Sequence, residues 1–231
     1  MTARTLVSAV ACGALILGTA AHAQTPAPAS PAPPARDREF IVGGVVAAPA
    51  SMGSVDAVLL GSNGAPSVTL FRTQNRLAAG AGPEVMLGFA LRRSVRIELA
   101  AAIVWANVSS RITDDFENAP AEVVRAAALR LAAEGAIVWI VRERGAAAWF
   151  VRGSGGFMRE SSSDLASAAQ GFIGGAGIGY RHWWRTDGRG VFKRLGLRAE
   201  VRGVFRAGGI TLSERSWTFA PIGAAHIVFG Y

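Results

Sequence analysis

From Glu84 to Trp105 the chain alternates with a period of two, broken only at Arg92-Arg93-Ser94. Val85, Leu87, Phe89 and Leu91 share one side of the first run, against Glu84, Met86, Gly88 and Ala90. Val95, Ile97, Leu99, Ala101, Ile103 and Trp105 share one side of the second, against Arg96, Glu98, Ala100, Ala102 and Val104. Successive side chains of a strand point to opposite faces, so this stretch predicts an antiparallel hairpin with one continuous apolar face. The six apolar positions of the second run cover eleven residues. At about 3.3 Å per residue and a tilt near 45° they span roughly 25 Å.

The same period recurs along the chain. Leu195, Leu197, Ala199 and Val201 oppose Arg198, Glu200 and Arg202; Ala176, Ile178, Tyr180 and Trp184 oppose Gly175, Gly177, Gly179 and Arg181. Ile137 to Val141, with Trp139 on the Ile137/Val141 face, and Ala147 to Val151 fit further strands. In the last eleven residues, Tyr231, Phe229, Ile227 and Ala225 share one face and Gly230, Val228, His226 and Ala224 the other. Mean hydropathy is positive, yet no run of about 18 apolar residues follows the first 23 positions. High apolarity without a helical span is what lipid-facing strands produce, because their apolar residues occupy every second position.

The start of the chain predicts export. Arg4 supplies a positive segment, Leu6 to Thr19 is apolar, and Ala21-His22-Ala23 is a small-x-small cleavage site before Gln24, so residues 1–23 read as a signal peptide. Cys12 lies inside the apolar run, and Ala9 stands where a lipoprotein signal carries leucine, which disfavours lipidation. Removal of the leader takes the only cysteine, which excludes disulfides and cysteine-based zinc sites. Five of the ten prolines fall in Thr25 to Arg36, so 24–38 is expected to be an extended, unpacked tail and 39–231 one β domain. The net charge of +8 comes from arginines scattered along strands and turns, which argues against nucleic acid as a partner.

Strands are expected near 39–49, 76–91, 95–111, 123–141, 147–160, 167–185, 192–210 and 217–231. Between them, 92–94, 142–146 and 186–191 are short connections; 50–75 and 112–122 are long, and 161–166 and 211–216 intermediate. With both termini on one side, the short connections all fall on that side, an arrangement that an even count of eight strands satisfies. Trp139, Trp149, Trp184, Phe192, Phe229 and Tyr231 cluster at the short-turn end. The weakest strand is 121–135, where Val124, Ala127, Ala128 and Leu131 would also form a helical stripe.

Other motifs carry little chemistry. Ile41-Val42-Gly43-Gly44 copies the mature start of trypsin-like proteases, but Gly153-Ser-Gly-Gly156 lacks the aspartate of their serine element and precedes His226, so no triad is assembled. Gly174 to Gly179 is glycine-rich but leads into Tyr180-Arg-His-Trp-Trp instead of the helix a phosphate loop needs; these glycines are expected to make room inside a narrow barrel. His182 and His226 stand far apart with no clustered third ligand, so no metal, catalytic or cofactor-binding residues are assigned. Asp114, Asp115 and Glu117 form an acidic tip on a solvated loop.

Gly82-Pro-Glu-Val-Met-Leu-Gly-Phe-Ala-Leu91, the return strand from Val95, Gly174 to Tyr180 and the Ile227 to Tyr231 ending together resemble the outer-membrane β-barrel domain family, the small eight-stranded barrels of the opacity and OmpA/OmpX type, over roughly 39–231. The resemblance implies an all-β, antiparallel up-and-down transmembrane barrel in the outer membrane of a Gram-negative envelope. It implies insertion by the barrel assembly machinery, with Ala225, Ile227, Phe229 and Tyr231 as the assembly signal, outer-membrane lipid as surroundings, and surface loops carrying any binding role. Eight strands enclose an interior just wide enough for side chains, so no open pore is expected. Inward Glu84, Arg96, Glu98, Arg198, Glu200 and Arg202 would form a mutually neutralising interior charge network. The expected protein is a non-enzymatic monomer without cofactor. Two alternatives stay open: a soluble periplasmic barrel binding a small apolar ligand, and a lipid A-modifying barrel enzyme. The latter needs a Ser–His–acid group near the outer leaflet, whereas His182 falls at the periplasmic end.

Overall fold

The computed structural model describes residues 37–60, 66–115, 117, 119–162, 167–185, 192–210 and 217–231. Residues 1–23, expected as a leader, nearly all of the proline-rich segment and the turn expected at 186–190 lie outside the described residues. The chain forms ten strands: β1 (Arg38–Ala47), β2 (Ala50–Leu59), β3 (Val68–Leu77), β4 (Gly80–Arg92), β5 (Val95–Thr113), β6 (Glu122–Arg144), β7 (Ala147–Ser162), β8 (Ser167–Arg185), β9 (Arg194–Gly208) and β10 (Trp217–Gly230). All pair antiparallel in a single sheet. β1, β4, β5, β6, β7, β8, β9 and β10 close a ring in that order, sealed by β10 against β1 with Ile227 opposite Val42.

The register sets the shape of the ring. From Ile227 the line of partners runs through Val42, Val85, Ala101, Ala133, Phe157, Phe172 and Ala207 and returns to β10 at Trp217. One circuit therefore climbs ten residues along β10. That offset, about 33 Å against a circumference of eight spacings of about 4.8 Å, tilts the strands by about 40° from the barrel axis.

The sheet has ten strands where eight were expected, because most of 50–75, read as a loop, is the hairpin β2–β3. Only Ala48 and Pro49 separate β1 from β2, and only Ala78 and Ala79 separate β3 from β4. The ladders run through both gaps: the Ala48 N–H donates to the Pro221 carbonyl and the Ala78 N–H to the Asn107 carbonyl. β2 and β3 prolong the staves of β1 and β4 beyond the ring, and β3 pairs with the far end of β5, Arg72 to Leu77 against Thr113 to Val108. The outward face of this hairpin is polar, with Ser51, Ser54, Gln74 and Arg76, and register shifts at Ser51/Gly53 and Ala57/Val58 break the period of two, so alternation could not reveal it. β6 also outruns its neighbour, since its pairing with β7 begins only at Leu129. The order β2-β3-β5-β6 thus rises past the ring as a four-stranded wall.

The segment 121–135 is strand. β6 pairs with β5 without a break from Glu122 opposite Ile112 to Trp139 opposite Val95. Alanine favours helix in isolation, but the ladder with β5, joined from Leu129 onward by the ladder with β7, satisfies the backbone, and tertiary pairing overrides the preference.

Inside the ring, charged and apolar layers alternate. On β9, Arg198, Glu200 and Arg202 are followed by Val204 and then Arg206, all buried. Val204 belongs to an apolar cluster with Val45, Ala47, Val104, Ile173, Ile222 and Ala224. These come from β1, β5, β8, β9 and β10, so the cluster crosses the lumen. A second cluster, Ile41, Met86, Ala100, Trp183 and Val228, packs towards the terminal end, and a third, Ala50, Met52, Leu77, Val108 and Ala220, towards the wall.

Candidate functional site

Two faces of the same strands carry the chemistry. The outward face is apolar and open: Leu99 is 55 % exposed, Ile137 63 %, Val201 61 % and Phe157 66 %, with Val85, Leu87, Phe89, Ile97, Ile178 and Ile227 exposed beside them. Aromatic side chains bound this band at both ends. At the end bearing Tyr231, Phe192 packs on Phe229 and Tyr231, each with ring centroids 5.1 Å apart, Phe229 meets Phe40, and Trp149 meets Tyr180. At the wall end, Phe157 packs on Phe172 at 5.1 Å and Phe205 on Phe219 and Trp217, with Trp105 exposed on the same face. The aromatics therefore form two belts, where the sequence suggested a cluster at the short-turn end alone. Phe219 and Phe229 lie ten residues apart on β10, which at the observed tilt separates the belts by about 25 Å.

The inward face carries the ions. Among the described residues, Glu39, Glu84, Glu98, Glu134, Glu160 and Glu200 are buried together with Arg96, Arg130, Arg152, Arg181, Arg198, Arg202 and Arg206. Arg198 donates to both oxygens of Glu98, at 2.5 and 3.1 Å, and to Glu200 at 2.7 Å. Arg152 lies 3.3 Å from Glu200 and 3.6 Å from Glu98. Arg202 donates to Glu84 at 2.5 Å and reaches Glu134 at 4.0 Å; the other oxygen of Glu84 is 2.8 Å from His226 Nε2. This central network ties β4, β5, β6, β7, β9 and β10 across the lumen.

Two smaller groups flank the centre. Glu39 on β1 pairs with Arg96 on β5 and with Arg181 on β8, the latter at 2.8 Å. Beyond the apolar layer, Glu160 accepts from Arg130 at 2.8 Å, Arg206 at 3.2 Å and the Ile210 N–H at 3.2 Å. Buried charge is tolerated only when paired and hydrogen-bonded. The cations here are all arginines, whose planar fork binds two carboxylate oxygens at once and stays charged when buried.

Five of the six sequence-derived interior residues meet directly in the central network: Glu84, Glu98, Arg198, Glu200 and Arg202. Arg96 joins Glu39 instead. Glu39, Glu134, Glu160, Arg130, Arg152, Arg181, Arg206 and His226 were missed as members. The signal was present, since each is a lone polar residue at an inward-parity position, but partners up to 142 residues away in sequence cannot be assigned from parity. Ala225, Ile227 and Tyr231 are on the outward face of β10 and its end, exposed, with Phe229 half-buried between Phe40 and Phe192.

Glycines admit the bulky members. A Cβ at Gly179 would lie 2.2 Å from the Phe150 ring, and one at Gly177 2.6 Å from the Arg202 Cβ. Phe150 in turn lies under the Arg198 guanidinium, 4.3 Å from ring centroid to Cζ, a favourable cation–π contact. His182 is half-buried and stacks on Tyr180, away from His226. Ile41 to Gly44 run through β1 and Gly153 to Gly156 through β7, as plain strand. In the acidic tip, the Glu117 N–H donates to Asp115 at 2.9 Å and Asp114 lies 3.8 Å from Arg72. No group of three or more potential metal ligands occurs among the described residues.

No family model matches the chain, and no curated protein matches it in sequence. Among solved structures it is similar to the outer membrane protein OprG from Pseudomonas aeruginosa, at 8 % identity, over 85 % of this chain and 96 % of that one, with a TM-score of 0.49.

Proposed function

We propose that the protein is an integral outer-membrane β-barrel with a structural or surface-interaction role, its loops carrying any binding, with a filled lumen and no enzymatic activity. The observation that carries this reading is the inversion of polarity: large apolar side chains cover the outside of the closed ring while its arginines and glutamates are sealed within. In water such a surface would be an unusually large exposed apolar patch. In a bilayer it is the required one, and closing the ring leaves no unpaired strand edge in the hydrocarbon. The separation of the aromatic belts equals the height of a barrel's lipid-facing band. A soluble barrel that binds an apolar ligand needs an apolar cavity inside, whereas this interior is filled by ion pairs and a cross-lumen apolar layer.

The leader over 1–23, passage to the barrel assembly machinery and recognition there of Ala225, Ile227, Phe229 and Tyr231 belong to the same reading, as does a monomeric state. Membrane fractionation and gel migration with and without boiling test it. The mature chain is expected in the outer-membrane fraction, soluble only in detergent, with heat-dependent migration and no steady conductance in planar bilayers. Recovery as a folded species in buffer without detergent overturns the reading. Deleting Phe229 to Tyr231 is expected to leave export intact and to reduce the heat-modifiable form; normal assembly of the truncated chain removes the role assigned to the terminus.

A further inference from the structure

On the outward face of the wall, just past the wall-end aromatic belt, three arginines stand together, with no carboxylate paired to them among the described residues. Register places Arg76 beside Ser109 and Ser109 beside Arg125, with Ser51 on the other side of Arg76. The next outward line holds Ser54, Gln74, Arg111 and, at its β6 end, Val123. Cross-strand neighbours on one face are about 5 Å apart, so the three guanidinium groups and the hydroxyls between them form one patch. Ser51, Ser54, Gln74, Arg76, Ser109 and Arg111 line a shallow recess of about 580 Å³ there. Arg76, Arg111 and Arg125 are exposed. The neighbouring acids are committed elsewhere: Asp56 and Asp114 engage Arg72 one line further out, and Glu122 has the opposite parity.

We propose that this patch binds the phosphate groups of the lipid headgroups in the leaflet around the wall end, a reading that rests on the membrane placement above. Three observations fit that occupant. The functional groups, guanidinium, hydroxyl and amide, are mostly donors, which suits an oxyanion that only accepts. Arginine's fork matches phosphate geometry. Depth selects the source: Ser109 is four residues up β5 from Trp105, about 10 Å along the axis at the observed tilt. With Trp105 at the edge of the hydrocarbon, that is the level of headgroup phosphates, and the patch faces outward into that layer.

The test uses the full mature barrel folded into mixed micelles of neutral detergent with a phosphorylated glycolipid, the same glycolipid without phosphate, or inorganic phosphate alone, and reads retained ligand by native mass spectrometry. The wild type is expected to retain the phosphorylated lipid, to retain the dephosphorylated one far less, and not to retain inorganic phosphate. Each of Arg76→Gln, Arg111→Gln and Arg125→Gln is expected to weaken retention roughly fivefold, and the triple variant about a hundredfold. Arg92→Gln with Arg93→Gln, at the opposite end of the barrel, is expected to leave it unchanged. Heat-dependent migration is measured on every sample. Insertion with equal retention by wild type and triple variant overturns the patch alone, as does equal loss in the Arg92/Arg93 variant. Retention of free phosphate as tightly as of the lipid overturns the lipid source. Failure of the wild type to insert overturns this proposal together with the membrane reading.

Discussion

The ring interior and the wall use arginine in opposite ways. Inside, Arg198 touches two carboxylates and lies over Phe150, with almost no surface left to solvent. On the wall, Arg76, Arg111 and Arg125 share one face, exposed and beside serines. Both sets lie on the same kind of strand, and β5 itself carries Arg96 within and Arg111 without. What separates them is parity and height. An inward arginine at ring level is enclosed and must be neutralised by the protein; an outward one above the apolar band is left for its surroundings. The same side chain is structural in one place and available for binding in the other.

Substitutions that probe this contrast are expected to scale with enclosure. Arg198→Met leaves Glu98 and Glu200 short of a partner in the lumen and should destabilise the barrel by about 3–5 kcal/mol. Urea unfolding in detergent, followed by tryptophan fluorescence, reads the effect. Adding Glu98→Met to that variant should recover part of the loss, because removing both charges costs less than stranding one. A double variant as unstable as the sum of the singles would show that the pair is not coupled. Leu99→Arg brings the forbidden residue to the outward face near mid-band and should cost about 2–4 kcal/mol. Tolerance of that change would break the assignment of outside and inside. Arg111→Gln, in contrast, should change stability by less than about 0.5 kcal/mol, and a larger loss would mean the wall arginines are structural too.

The smallest expected effect lies at the outer edge of the wall. The Arg72 guanidinium, hydrogen-bonded to Asp56 at 2.7 Å, holds that carboxyl below the usual carboxylate range. A lowered folded-state value stabilises the hairpin above the ordinary pKa of about 3.9, and that contribution fades as pH falls through the lower value. Both side chains are solvent-exposed, so acidification should loosen only β2–β3. Faster amide exchange there below about pH 4, with the ring unchanged, is the expected result. Loss of the ring in the same step would mean that wall and ring unfold together.

Much of the ring was legible in the residues. Strict alternation needs no partner to be seen: Val85 through Leu91 and Val95 through Trp105 assign their own faces, and both came out with the apolar side outward. The hairpin β2–β3 was not legible, because its outward residues Ser51, Ser54, Gln74 and Arg76 are polar and two register shifts break the period of two, so that pairing rather than alternation makes it sheet. Segment 121–135 was ambiguous for a related reason, alanine being compatible with either period until β5 supplies the ladder.

Parity is a local property, so the sequence alone determined which side chains share a face, and with it the opposition of Val/Leu/Ile to Arg/Glu. Which glutamate meets which arginine depends on how far the strands slide before the ring closes. That ten-residue climb is a property of all eight seams together. It brings Glu98 to Arg198 and Glu84 to both Arg202 and His226. It also carries Arg76, Arg111 and Arg125 above the apolar band, and only the closed sheet decides either.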